Sequence, residues 1–176
     1  IQITHYDDSL NEMIRLSTSS AGGGLQMLVF GVMRNVTADS AKKAALGGGA
    51  IVLDVMTTVD DRPSFLKLDS IRAIRPDMIL ISGGLDGGNT AFALEIADLL
   101  NVARPRSRFG ENFRIPIVYA GNKDAAELVA DTLSAGFDVT VGDNLRPSFD
   151  LENLEPTRAA IHELFMSHVM AHAPGY

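Results

Sequence analysis

Five short apolar runs recur along the chain at regular spacing. The central runs are continuously hydrophobic instead of alternating with polar residues, which is typical of parallel strands that are covered on both faces. The sequence therefore predicts five strands, over residues 25–32, 50–56, 77–82, 115–120 and 137–141.

Segments with helical spacing fill the intervals between these runs. Apolar residues three and four positions apart mark one face of each segment. Thr37 and Asn122 are candidate N-caps, and Pro156 suits the first turn of a helix. The pattern predicts helices over 38–46, 65–74, 90–100 and 123–133, and a long last helix that begins at residue 155.

The alternation of strands and helices predicts an α/β fold in three layers, with helices on both faces of a parallel sheet. Five strands favour a flavodoxin-like, Rossmann-like order 2-1-3-4-5. We expect residues 1–20 to be a lead-in segment with one helix around 10–16, and residues 21–173 to be a single domain. Because the chain begins with isoleucine, we expect that domain to be part of a longer protein. Residues 101–114 are expected to form a basic surface loop.

In such sheets ligands bind beyond the carboxyl ends of the strands, near the point where the strand order reverses. The third strand runs into a segment with four glycines in six residues, followed by a predicted helix N-terminus that favours an anion. Asparagines that follow the first, fourth and fifth strands would converge on the same edge. The predicted ligand-binding residues are Asn35, Ser82, Gly83, Gly84, Asp86, Gly87, Gly88, Asn89, Asn122, Lys123 and Asn144. The alternative is a tight strand-to-helix turn without a ligand, and Asp86 would oppose an anion.

Composition narrows the classes of partner. The net charge is −7, so a phosphate backbone would be repelled and nucleic acid is not an expected ligand, although a local pocket can still bind a small anion. There is no cysteine, and no apolar run is long enough to cross a membrane. We expect a cytoplasmic protein without a membrane partner.

Motifs for nucleotide and metal chemistry are incomplete. Residues 83–90 resemble a phosphate loop, but Asn89 stands where its lysine belongs. Residues 116–124 resemble the guanine-reading N-K-x-D strand of GTPases, but Ala125 replaces the final aspartate. His168 and His172 lie four positions apart, which is more often a solvated helix face than a metal site. We therefore expect neither a catalytic residue nor a metal site.

Several segments, in order along the chain, together resemble the MutL family. This is the family that accompanies cobalamin-dependent glutamate mutase, and not the mismatch-repair protein of the same name. The ordered set of these segments carries the resemblance. The resembling segments are residues 19–27, 37–47, 75–89, 116–122 and 153–161.

The resemblance implies an accessory protein that reactivates the mutase by releasing damaged cobalamin. The family resembles the ATPases related to actin, Hsp70 and sugar kinases, so it implies ATP and Mg²⁺ for the full-length protein. Those ATPases carry an early D-x-G-S/T motif and a later D-x-G-G-A motif, and this chain contains neither. The resemblance thus implies an internal domain that has no cofactor and no catalysis of its own, with the mutase subunits as partners.

Two other functions remain open. The chain can be a stand-alone flavodoxin-like enzyme or small-molecule-binding domain, which a binding assay with the mutase subunits would distinguish. A cobalamin-binding domain has the same predicted fold. We discount it because the D-x-H-x-x-G ligand motif is absent and no histidine lies between His5 and His162.

Overall fold

The computed structural model describes residues 24–172, which build one five-stranded sheet. All neighbouring strands are parallel and their order is 2-1-3-4-5, as predicted. The three-layer α/β fold is therefore confirmed. The strands are β1 (Leu25–Gly31), β2 (Ala50–Thr57), β3 (Met78–Ser82), β4 (Pro116–Tyr119) and β5 (Asp138–Val141).

Five α-helices within residues 24–172 cover the two faces of the sheet. Each predicted helix is present within a few residues of its expected bounds. α1 packs against α5, while α2 contacts α3 and α3 contacts α4, so that two helices share one face and three share the other. The helices are α1 (Asp39–Gly47), α2 (Ser64–Ala73), α3 (Ala91–Ala103), α4 (Ala126–Leu133) and α5 (Glu155–Leu164).

The three inner strands form the core. Every residue of β3 and β4 is buried, because helices cover both faces of these strands. β2 lies at one edge of the sheet and is buried only in part, with Ile51 and Leu53 exposed. The continuous apolar pattern thus marks the strands that have a neighbour on each side.

Two local predictions change in the structure. Thr37 is not an N-cap, because its Oγ1 accepts hydrogen bonds from the amides of Val32 and Met33, both at 2.9 Å, in a π-helical turn before α1. The last helix keeps its predicted start, but its α-helical part ends at Leu164 and continues as a π turn and a 3-10 turn to His172. Asn122 does act as a cap, since its side chain accepts from the Asp124 amide.

The predicted basic loop begins after α3 and is anchored to the sheet. Arg108 forms two hydrogen bonds with the buried carboxylate of Asp77, Nε to Oδ1 at 2.6 Å and Nη2 to Oδ2 at 2.8 Å. The Gln26 amide also donates to Asp77 at 2.8 Å. Burial raises the pKa of Asp77 above its ordinary value, although the hydrogen bonds from Gln26 and Arg108 oppose that shift. This ion pair therefore ties the loop to the start of β3.

Some expectations fall outside the described residues. They are the lead-in segment with its helix, both predicted domain boundaries and the side chain of His172. Within residues 24–172, no helix has the length and the apolar character that a membrane crossing requires.

Candidate functional site

Three loops meet at the carboxyl edge of the sheet, as the parallel strands require. They follow β3, β4 and β5, and span residues 83–90, 120–122 and 142–154. The β3 loop and the β4 loop were predicted to share this edge, and the hydrogen bonds between them confirm it. The candidate site is therefore a surface assembled from segments that are distant in sequence.

Two carboxylates join the β3 loop to the chain after β4, and each segment supplies one of them. Oδ1 of Asp86 accepts from the amide of Lys123 at 3.1 Å. Oδ2 of Asp124 in turn accepts from the amide of Gly87 at 3.1 Å. Asp86 was expected to oppose an anionic ligand, and the structure gives it a structural role as the acceptor that holds this edge together.

Two buried asparagines complete these connections. Asn144 Nδ2 donates to the carbonyl of Gly84 at 3.1 Å and to Oδ1 of Asp86 at 2.8 Å. Asn122 Nδ2 donates to the carbonyl of Gly88 at 3.0 Å. Both asparagines are more than nine-tenths buried. Their amide hydrogen bonds thus stabilise the loops themselves.

Close packing explains two of the glycines. A Cβ on Gly83 would lie 2.6 Å from the hydroxyl of Tyr119, and a Cβ on Gly121 would collide with the backbone of Gly83. Gly84 and Gly87 have φ values of +98° and +71°, which side-chain-bearing residues rarely adopt. The glycine-rich sequence therefore meets the demands of a tight turn, whether or not a ligand also binds there.

Other predicted site residues remain accessible. Asn89 and Lys123 are exposed, together with Gly87 and Gly88 at the tip of the β3 loop. The Oδ1 of Asn89 accepts from the Ala91 amide at 2.9 Å, which leaves its Nδ2 group at the surface. These residues form the part of the edge that a partner can contact directly.

Asn35 and Ser82 differ from the rest of the predicted set. Asn35 is exposed in the π-helical turn after β1, and no hydrogen bond joins it to the other predicted residues in the described part of the chain. Ser82 ends β3, and its buried Oγ has no hydrogen-bond partner among residues 24–172. The structure thus joins residues that follow β3, β4 and β5 by hydrogen bonds, and Asn35 forms none with them in the described part of the chain.

Tyr119 is a buried residue that stabilises this edge, and the sequence did not indicate this role. Its hydroxyl donates to the carbonyl of Asn122 at 2.8 Å and its side chain is fully buried. Burial raises the pKa of Tyr119, and the negative charge of Asp86 raises it further. The phenol therefore stays neutral and acts as a hydrogen-bond donor.

Glu152 connects the end of the β5 loop to α1. Its Oε1 accepts from Ser40 Oγ at 2.7 Å and lies within 3.5 Å of Lys43 Nζ and 3.3 Å of Arg146 Nη1. The hydrogen bond from Ser40 lowers the pKa of Glu152, and the two cations lower it further. Ser40 and Glu152 are 112 residues apart in the sequence, so no local sequence pattern predicts this hydrogen bond.

The polar groups described at this edge form hydrogen bonds and offer further ones. Among the residues that the structure describes, no three histidine, aspartate or glutamate side chains are grouped so that they could hold a metal ion. The asparagines and the backbone amides can donate and accept, which suits recognition of a polar surface.

The comparisons with known proteins decide the family. A sequence model described as MutL protein matches residues 2–176. The chain belongs to the MutL family. Protein MutL from Clostridium tetanomorphum is 34% identical to this MutL-family chain over 162 residues, which cover 92% of the chain and 33% of that relative. The chain therefore spans about a third of the length of this curated relative.

Solved structures with similar folds are more distant from this MutL-family chain. A diflavin flavoprotein A3 from Nostoc sp. is 14% identical with a TM-score of 0.48, over 84% of this chain and 93% of that one. A de novo designed Rossmann 2x3 fold protein is 15% identical with a TM-score of 0.42, over 85% and 98% of the two chains. Because both scores are below 0.5, the fold assignment rests on the strand order itself.

Proposed function

We propose that this domain belongs to an accessory, reactivating protein of cobalamin-dependent glutamate mutase, and that it binds the mutase through the carboxyl edge of its sheet. Membership of the MutL family supports the first part of the proposal. The partly exposed edge, in which hydrogen bonds join the three loops, supports the second. We propose that the domain binds the mutase in the cytoplasm, and that other parts of the full-length protein bind ATP and Mg²⁺.

One observation carries the choice of surface. The β3 loop is fixed by hydrogen bonds to residues that follow β4 and β5, while its tip at Gly87, Gly88 and Asn89 stays exposed. A preorganised loop loses little conformational freedom when a partner binds, which favours affinity. Asn89 and Lys123 add exposed donors beside that tip.

In this proposal the domain recognises a partner and does not catalyse a reaction. Asp86, Asn122 and Asn144 hold the loops in place, so that their polar groups serve the surface indirectly. Asn35, Asn89 and Lys123 are the residues that we expect to touch the mutase or a small anionic ligand.

A binding assay tests the proposal. The purified chain, immobilised through an N-terminal tag, is presented with the separate mutase subunits and with an unrelated flavodoxin-like protein as the immobilised control. We expect this chain to retain a mutase subunit and the control protein to retain none. Equal retention by the control protein, or no retention by either protein, would contradict the proposal.

A further inference from the structure

A short turn in the β5 loop exposes two large apolar side chains. Ser148 and Leu151 form an isolated antiparallel bridge, and the Leu151 amide donates to the Ser148 carbonyl at 3.4 Å. We call residues 148–151 the β5 turn. Phe149 at its tip is 60% exposed, and Leu151 is 55% exposed. Single exposed apolar side chains are common on proteins, so the significance of this turn depends on how it is held and where it lies.

Arg146 holds the β5 turn by its backbone. The Nη2 group of Arg146 donates to the carbonyl of Phe149 at 2.7 Å. Its Nη1 lies 3.3 Å from Glu152 Oε1, an oxygen that also accepts from Ser40 of α1. Hydrogen bonds from a guanidinium group are charge-assisted and stronger than neutral ones. The turn is therefore connected to α1 through its backbone, while the side chain of Phe149 remains exposed.

The β5 turn adjoins the surface that we propose to bind the mutase. The Asp86 amide donates to the Pro147 carbonyl at 3.1 Å, so the residue directly before the turn contacts the glycine-rich β3 loop. Phe149 follows two residues later, within ~7 Å of Pro147 along the chain. The exposed tip of the β3 loop, residues 87–89, begins directly after Asp86. An interface of ordinary size, ~800 Å² on each partner, is wide enough to cover both features.

Asp150 gives the β5 turn a negative charge. It is exposed, and it forms no ion pair in the part of the chain that the structure describes. The cations Arg146 and Lys43 are paired with Glu152 instead. An exposed aromatic side chain next to an uncompensated carboxylate is complementary to an apolar pocket that has a lysine or arginine at its rim.

We propose that Phe149 is the apolar anchor of the carboxyl-edge surface, and that it inserts into an apolar pocket of a mutase subunit whose cationic rim meets Asp150. This inference rests on the proposed function and adds to it the contact that supplies most of the affinity. Aromatic residues are enriched among the few side chains that dominate a protein interface. Because Arg146 already holds the backbone of Phe149, less conformational freedom is lost when the partner binds.

The first test compares the affinities of Phe149→Ala and Phe65→Ala for the separate mutase subunits. Phe65 is the matched control, since it is 62% exposed and lies just after β2, the outer strand that is four strand spacings, ~19 Å, from β5. We expect Phe149→Ala to raise the Kd at least about tenfold at an unchanged Tm, and Phe65→Ala to stay near the wild-type value. An unchanged Kd for Phe149→Ala, or the same loss in both variants, would overturn the inference.

The second test concerns the cationic rim. Asp150→Asn keeps the shape of the side chain and removes its charge, so we expect the Kd to rise about threefold at low salt and by less at roughly 0.5 M NaCl. Asp98→Asn is the control, because Asp98 is also exposed and also forms no ion pair in the described residues. A wild-type Kd for Asp150→Asn, or an equal rise in both variants, would contradict the proposed pocket.

The third test locates the contact without changing Phe149. The chain contains no cysteine, so Ser148→Cys in the turn and Ser64→Cys at the start of α2 each introduce a single thiol at an exposed position. Mass spectrometry follows the labelling of each variant by iodoacetamide. We expect a saturating mutase subunit to slow the labelling of Ser148→Cys at least about fivefold and to leave that of Ser64→Cys unchanged.

The outcomes of this third test separate the inference from the proposed function. Unchanged labelling of Ser148→Cys in a chain that binds the mutase would overturn the inference and leave the proposed function standing. No binding of any mutase subunit by the wild-type chain would contradict both. Slow labelling of Ser148→Cys in the full-length protein before any mutase is added would assign the turn to another part of the same protein, and would also overturn the inference.

Discussion

Asn144 donates a hydrogen bond from its side-chain amide to the Asp86 carboxylate at 2.8 Å, across 58 residues of sequence. Through this contact the chain after β5 holds the glycine-rich loop after β3. The same Asp86 oxygen also accepts from the Lys123 amide, so one carboxylate joins the β3 loop to the β5 loop and to the residue directly after the β4 loop.

We expect Asn144→Ala to lower the free energy of unfolding by about 1–3 kcal/mol, because Asp86 and the Gly84 carbonyl each lose a buried donor. Urea unfolding at pH 7 measures the change. Asn35→Ala is the matched control, since Asn35 is exposed and its loss should stay within ~0.5 kcal/mol. A similar, small effect of both substitutions would mean that the Asn144 contacts do not stabilise the edge.

Gly121→Ala is expected to destabilise the domain severely, by more than ~3 kcal/mol or to the point where no folded protein is obtained. The added Cβ would collide with the backbone of Gly83, which cannot move as a flexible side chain can. Gly136→Ala is the comparison, because a Cβ there meets nothing within 4 Å. Thermal melts of both variants decide the point, and a Gly121→Ala protein as stable as Gly136→Ala would refute the close packing of the two loops.

Arg108→Met should cost about 3 kcal/mol at pH 7, because it leaves the buried Asp77 carboxylate without its cation. Arg72→Met is the control. Arg72 pairs with Asp69 on the helix surface, where the loss should be at most ~0.5 kcal/mol.

The pH dependence of Arg108→Met follows from the direction of the Asp77 pKa. The folded-state pKa is already above the ordinary value, so the folded state binds this proton more readily and gains stability as the pH falls. Removing Arg108 strengthens that trend. We therefore expect the cost of Arg108→Met to shrink between pH 7 and pH 4.5 in urea titrations. A constant or growing cost would show that Asp77 does not titrate in this range.

We also expect the isolated chain to release no phosphate from ATP or GTP above background. The lysine of a phosphate loop and the aspartate-containing ATPase motifs are absent from its sequence. A phosphate-release assay on highly purified protein tests this expectation. Steady hydrolysis that Gly84→Val abolishes would contradict it.

The strands and their order were predictable because the apolar pattern of a strand reflects how far it is buried. β3 and β4 are covered on both faces, so their residues are apolar throughout, and five alternating units leave few parallel arrangements. The exposed residues of the edge strand β2 also agree with the order of the sheet.

The candidate site was predictable only in position. A glycine-rich loop after β3 and asparagines after β4 and β5 indicate the edge, but no local pattern shows that Asp86 accepts from Asn144 or that Tyr119 supports Asn122. Thr37 was misassigned for the same reason. Its hydroxyl has the amides of Val32 and Met33 within reach only after the turn has formed.

The most direct test of the proposed function measures the affinity of the mutase subunits for an edge variant. Asn89→Ser with Lys123→Ala removes an exposed amide and an exposed cation, and serine retains an oxygen that can cap α3. Asn112→Ala with Arg75→Ala removes the same two kinds of group from exposed positions that precede β4 and β3. Thermal melts confirm that each protein is folded before binding is compared.

If the carboxyl edge is the mutase-binding surface, Asn89→Ser with Lys123→Ala will raise the Kd at least about tenfold, ~1.4 kcal/mol, while the Asn112 and Arg75 variant stays near the wild-type value. A wild-type Kd for the edge variant, or the same loss in both variants, would contradict the proposal that this edge binds the mutase.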